Sequence, residues 1–81
     1  YATGNQGTTE NYSVTITDCP KNSIICFGIK IQNPSETNQN LENVKIYVQS
    51  KDSTTIKQYC GDMGVIESGK TEHRGFVTYV V

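Results

Sequence analysis

Leu41-Glu-Asn-Val-Lys-Ile-Tyr-Val-Gln49 decides how this chain is read. Val44, Ile46 and Val48 fall on one side of a period of two, and Lys45, Tyr47 and Gln49 on the other. A pleated strand sends successive side chains to opposite faces. The alternation therefore describes a strand with one face in a core and one in water. β-branched and aromatic residues fill it, as a half-buried pleated surface favours. No segment of useful length carries the three-and-four apolar spacing of a helix.

Upstream, Gln32 to Asn40 is a polar loop rich in turn residues. Pro34 lacks a backbone donor and biases Asn33 toward an extended conformation, so the preceding strand ends there. That strand is Ile24-Ile-Cys-Phe-Gly-Ile-Lys-Ile31, with Ile25, Phe27, Ile29 and Ile31 in phase. Before it, Asp18 to Ser23 reads as a turn, and Tyr12-Ser-Val-Thr-Ile-Thr17 as another alternating strand. A hairpin looped at residues 20–23 sets Ile16 against Phe27, Val14 against Ile29 and Tyr12 against Ile31. The two apolar faces then coincide, and a slip of one residue destroys the match. Residues 1–11 are polar, glycine-spaced and without period, and read as a flexible arm or linker before a domain at 12–81.

Downstream, Ser50 to Ser53 turns the chain and Thr54 to Cys60 is a weaker strand. Gly61-Asp-Met-Gly64 breaks it, Val65-Ile66 is a short strand, and Ser68-Gly-Lys70 is a hairpin turn. The last strand runs from Glu72 to Val81, and its tail Phe76-Val-Thr-Tyr-Val-Val81 is apolar on both faces. The simpler explanation is a central strand between the core and another layer. The sharper one is a docking surface or an edge for strand addition, made of Phe76, Val77, Tyr79, Val80 and Val81. Tyr1, Tyr12, Tyr47, Tyr59 and Tyr79 suit a contact surface too, although tyrosine is ordinary in strands. In all, the pattern gives roughly five to seven short strands with regular turns: an all-β sandwich or small barrel with a small core.

Composition bounds the function. The chain has 81 residues, 35% of them hydrophobic and 19% charged, with a formal net charge of −1. One small domain fits that length, and a two-domain enzyme with a cofactor cleft does not. There is no basic excess to neutralise a phosphate backbone, so no nucleic-acid partner is expected. No apolar run approaches the roughly 18 residues of a membrane helix. The chain opens on Tyr1, which reads as a processed protein or an excised domain. Asn11-Tyr12-Ser13 matches the glycosylation sequon.

The cysteines are Cys19, Cys26 and Cys60. In a short chain rich in Thr, Asn and Gly they favour one disulfide plus one thiol, in an extracellular or cell-surface setting. Cys19 and Cys60 both flank turns, in Asp18-Cys19-Pro20 and Cys60-Gly61-Asp62, and a Cys19–Cys60 bridge is the expected pairing. Such a bridge is worth about 2–4 kcal/mol. Cys26 lies in an apolar run, but the hairpin register puts it on the opposite face. The alternative is three reduced thiols in a cytosolic protein.

Gly64-Val-Ile-Glu-Ser-Gly69-Lys70-Thr71 matches the phosphate-binding loop in full. That loop needs a helix after it, whereas Gly75 and the β-formers beyond predict a strand. Glu67 would also repel phosphate, so a turn is the reading adopted. His73, the one histidine, has no second His or Cys near it in sequence, and the carboxylates are scattered singly. Asp18, Asp52 and Asp62 sit in turns where calcium could bind, but turn chemistry explains them more simply. No catalytic residue, cofactor or metal site is expected.

Three stretches carry a resemblance. Asn33-Pro-Ser with Leu41-Glu-Asn-Val-Lys-Ile-Tyr-Val48, Ile66-Glu-Ser-Gly-Lys-Thr71 and Phe76-Val-Thr-Tyr-Val80 resemble the FxLYD and CARDB-type immunoglobulin-like modules. The likeness spans about residues 27–81, and globular heads of pilin-like subunits look similar. It implies an immunoglobulin-like antiparallel sandwich from bacterial or archaeal surface or secreted proteins, with no catalytic residues. The expected function is a non-catalytic structural subunit or module of an extracellular assembly, such as a pilus or filament. Its partners would be proteins, through self-association or neighbouring subunits. A monomeric secreted binding or adhesion module, with recognition in loops 32–40 and 50–55, is the alternative. A nucleotide-using enzyme is the third.

Overall fold

The computed structural model describes residues 2–5, 10–34, 39–51 and 57–81. Six strands follow one another: β1 (Ala2–Asn5), β2 (Ser13–Cys19), β3 (Ser23–Gln32), β4 (Leu41–Ser50), β5 (Gln58–Ile66) and β6 (Thr71–Val80). They form a four-stranded sheet in the order β1-β2-β4-β5 and a two-stranded sheet of β3 and β6. The two sheets pack face to face, as the alternation in each strand requires. Val14, Val44, Ile46, Met63 and Ile66 from the larger sheet meet Phe27, Ile29, Ile31 and Phe76 from the smaller one. A second cluster of Cys19, Val48 and Val80 closes one end. The all-β reading holds, and so does the inward phase of Val44, Ile46 and Val48, all fully buried.

The expected hairpin of residues 12–31 does not form. β2 pairs with β1 and, in parallel, with β4, so the larger sheet is not purely antiparallel. β3 pairs instead with β6. The chain divides its hydrogen bonds between the sheets within the turn itself. Cys19 O accepts from Lys51 N at 3.1 Å on the β4 side, while Asn22 N donates to Val80 O at 2.7 Å on the β6 side. Asp18 and Asn22 adopt φ of 61° and 59°, left-handed values that Asp and Asn tolerate best after glycine. They swing the chain from one layer to the other. β2 and β3 then stack across the core rather than lying side by side. Both arrangements bury the same side chains, so the period of two did not distinguish them.

β5 corrects a second expectation. It runs unbroken through Gly61 and Gly64. Its register against β4 shifts in three places. Cys60, Met63 and Ile66 all turn inward, at a spacing of three instead of two. Each extra residue is a bulge, and the glycines allow it. Gly64 sits at φ 71°, and a Cβ on Gly61 would lie 2.7 Å from the Phe76 ring. Residues 54–56 of the expected weaker strand lie outside the described residues.

Two further expectations change. Ala2–Asn5, read as part of a flexible arm, pairs in register with Ile16 to Ser13 of β2. Ser68-Gly69-Lys70 is indeed a turn: Lys70 N donates to Glu67 O at 3.0 Å, with Gly69 at φ 78°. It joins β5 of one sheet to β6 of the other, so it is an arch between layers and not a hairpin. Asn33 anchors this end. Buried, its amide donates to Ile66 O at 2.9 Å and Gln39 O at 2.7 Å, tying the β3 exit to the end of β5.

Candidate interaction surface

Among the described residues β6 pairs with β3 alone, so it is not the central strand expected of a segment apolar on both faces. Alternation divides the candidate interface residues. Phe76 packs inward on Phe27, with ring centroids 5.6 Å apart, and Val80 is fully buried. Val77, Tyr79 and Val81 are 68%, 49% and 61% exposed. Across the sheet, Ile24 stands opposite Tyr79 and Cys26 opposite Val77. Ile24 is 72% exposed and Cys26 is exposed as well. Sequence reasoning missed these two as surface partners. Their phase was legible, being opposite to that of Ile25 and Phe27, but their neighbour was assigned to the wrong strand.

Along the same outward face the rows change character. Beyond Cys26 and Val77 come the opposed glycines Gly28 and Gly75, and then Lys30 opposite His73. Without side chains at the glycine row, a shallow open depression forms, lined also by Ile29 and Arg74. One face thus carries an apolar end, a flat middle and a cationic end.

The edges of this small sheet differ too. On β6, the Gln58 side chain acts as a spare peptide group, its amide donating to Tyr79 O and its oxygen accepting from Val81 N at 3.2 Å. Farther along, Arg74 donates to Asp62 O at 2.6 Å. Side chains therefore bridge β6 to β5. The edge of β3 away from β6 has no such bridge among the described residues.

The expected Cys19–Cys60 disulfide is absent, and all three cysteines are thiols. Register explains why. Cys19 lies opposite Ser50 on one side of β4, and Cys60 lies on the other side, next to Gly61, which pairs with Ile46. Two strand spacings are about 9–10 Å, beyond the roughly 7 Å between α-carbons that a disulfide spans. Both still touch the same end cluster, Cys19 as a buried member and Cys60 half-buried against it. Burial pushes the Cys60 thiol above its ordinary value, with a hydrogen bond to Thr78 opposing the shift.

The outer face of the larger sheet holds a separate polar and aromatic group. Tyr47 and Tyr59 meet edge to face at 5.9 Å, with Lys45 Nζ 5.5 Å from the centre of the Tyr59 ring and 3.5 Å from Asp62 Oδ1. A hydrogen bond to the Asp62 carboxylate raises the Tyr59 phenol above its usual range. The rings are inclined at 68°, so they make no flat platform for a stacked ligand.

The sequence match to a phosphate loop folds as strand, turn and strand, with Thr71 opening β6. His73 is exposed opposite Lys30. Among the described residues no three of His, Cys, Asp and Glu gather to hold a metal ion, and no helix is long and apolar enough to cross a membrane. Of the residues singled out in sequence, Tyr1, Asp52, loop residues 35–38 and loop residues 52–56 lie outside the described residues. Comparison with family models, with curated proteins and with solved structures finds no match.

Proposed function

We propose that this chain is a non-catalytic structural module of an extracellular or cell-surface assembly, of the pilus or filament kind, and that it meets neighbouring subunits through the β3–β6 sheet. One observation carries the reading: Ile24, Val77 and Tyr79 stand exposed beside Cys26 on one face of a sheet of only two strands. Scattered exposed apolar residues are ordinary, but a contiguous set marks a contact surface. The resemblance to FxLYD and CARDB-type modules and pilin-like heads agrees with it. The disulfide no longer supports the extracellular setting, which rests on that resemblance and on the Thr- and Asn-rich composition.

Sedimentation over a wide concentration range tests the proposal, with Val77→Glu as the paired variant. The native chain is expected to self-associate. The variant is expected to remain folded and sediment as a smaller species, because a carboxylate in an apolar contact must be desolvated. A native chain that stays monomeric at every concentration contradicts the assembly reading. The monomeric binding module then takes its place, and the Tyr47, Tyr59, Lys45 and Asp62 group is the surface to probe for a ligand.

A further inference from the structure

We infer that the outer edge of β3 is where the chain adds a strand, and that the added strand is the antiparallel β3 of a second copy. The product is a continuous β6-β3-β3-β6 sheet. This rests on the assembly reading above and names its edge and its partner.

In an antiparallel pair, opposed residues alternate between exchanging both hydrogen bonds and turning both sets of groups away. Val80 O accepts from Asn22 N, so Val80 faces β3. Tyr79 O and Val81 N are instead engaged by Gln58 on the far side, so those two residues face away from β3. Asn33 exchanges bonds with Lys70 and Gly69 at the other end, in the same phase as Val80. Tyr79 stands opposite Ile24, so Ile24 turns its groups away from β6, and Cys26, Gly28, Lys30 and Gln32 follow in phase. Five residues thus present N–H and C=O outward along one edge.

The four edges can be compared. β1 is only four residues long. β5 is bulged, its register against β4 shifting in three places. β6 is covered by the Gln58 and Arg74 side chains. These are the usual means by which an edge is kept from pairing. Among the described residues β3 shows none of them. It is ten residues long, holds an unbroken register with β6 and contains no proline. Its one charge is Lys30.

A second copy of β3 meets what this edge demands. Only the five outward-turned residues can bond across it, so two copies of β3 pair those residues with each other. Ile25, Phe27, Ile29 and Ile31 of both copies then fall on the same face of the joined sheet. Antiparallel pairing places the two Lys30 side chains at opposite ends, whereas parallel pairing sets like charges side by side. Gly28 lies close to the middle of the strand, where a Cβ would meet nothing within 4 Å.

Residue-resolved amide hydrogen exchange of the native chain, at low and high protein concentration, tests the inference. The expected result is roughly tenfold or greater slowing at Ile24, Cys26, Gly28 and Lys30 on association, with Ile25, Phe27 and Ile29 protected at both concentrations. Gly28→Pro is the companion variant. It removes one outward N–H and none directed at β6, and proline is tolerated on an edge. It is expected to fold and to lose association. If the chain associates while those four amides exchange unchanged, the edge pairing is overturned and assembly through the outer face stands. If Gly28→Pro folds and associates like the native chain, the edge pairing is again overturned. A monomer throughout removes both.

Discussion

The two sheets of this molecule are built from strands of the same pattern and reach different ends. β4 lies between β2 and β5, and Val44, Ile46 and Val48 are fully buried. β3 alternates as cleanly and is also ten residues long, yet its inward side chains are only half-buried. Its partner β6 is also an edge. The difference is the number of neighbouring strands, not the quality of the sequence. A strand flanked on both sides is shielded by its neighbours as well as by the opposing layer. A two-stranded layer covers its partner but leaves its own flanks and outer face open. Burial in this fold is therefore concentrated in the larger sheet, while the smaller one leaves Ile24, Val77 and Tyr79 exposed.

Substitutions can break that contrast, beginning with the core of the larger sheet. Ile46→Ala is expected to cost about 2–5 kcal/mol, read as a lowered midpoint in urea. Ile29→Ala on β3 is expected to cost clearly less. Equal losses would show that the two sheets are equally buried. Asn33→Ala comes next, at about 1–3 kcal/mol, because it strips the donors from the buried Ile66 carbonyl and from Gln39 O where the sheets meet. Gly64→Ala is expected to cost about 1–2 kcal/mol through its left-handed backbone alone, since there is open space around the new methyl.

These positions also show how much could be read in advance. The phase of β3 and β4 was legible because apolar alternation is local. So was the turn at Ser68 to Lys70. Pairing was not, because Ile16 and Phe27 satisfy the same core whether side by side or stacked across it. The β5 glycines read as breaks because a bulged strand loses its period of two. The candidate surface was legible in part: Val77, Tyr79 and Val81 are exposed, while Phe76 and Val80, grouped with them on the sequence, point inward. The expected disulfide failed on register, which spacing along the chain does not encode.

Thiol chemistry sharpens the contrast in a second way. In unreduced, unfolded protein, three free thiols are expected to titrate. In the native chain, alkylation followed by mass spectrometry should find Cys26 modified first, then Cys60, and Cys19 last. The Cys60 pKa is raised, so less thiolate is present at mildly alkaline pH and its reaction is slower there. The sign for stability follows. The unfolded chain ionises this thiol at a lower pH than the folded one, so its contribution fades as pH rises past the unfolded value. Cys60→Ser should flatten that decline. The smallest effect belongs to the outer face: Val77→Thr should change the unfolding free energy by no more than about 0.5 kcal/mol.

Sedimentation velocity on the native reduced chain, run beside Val77→Glu, tests most directly whether the two-stranded sheet is the contact surface. The account predicts concentration-dependent association of the native chain and its loss in a variant with an unchanged urea midpoint. Association of equal strength in both would contradict the outer face as the contact and leave the β3 edge, to which Val77 does not belong, for the Gly28→Pro variant to decide.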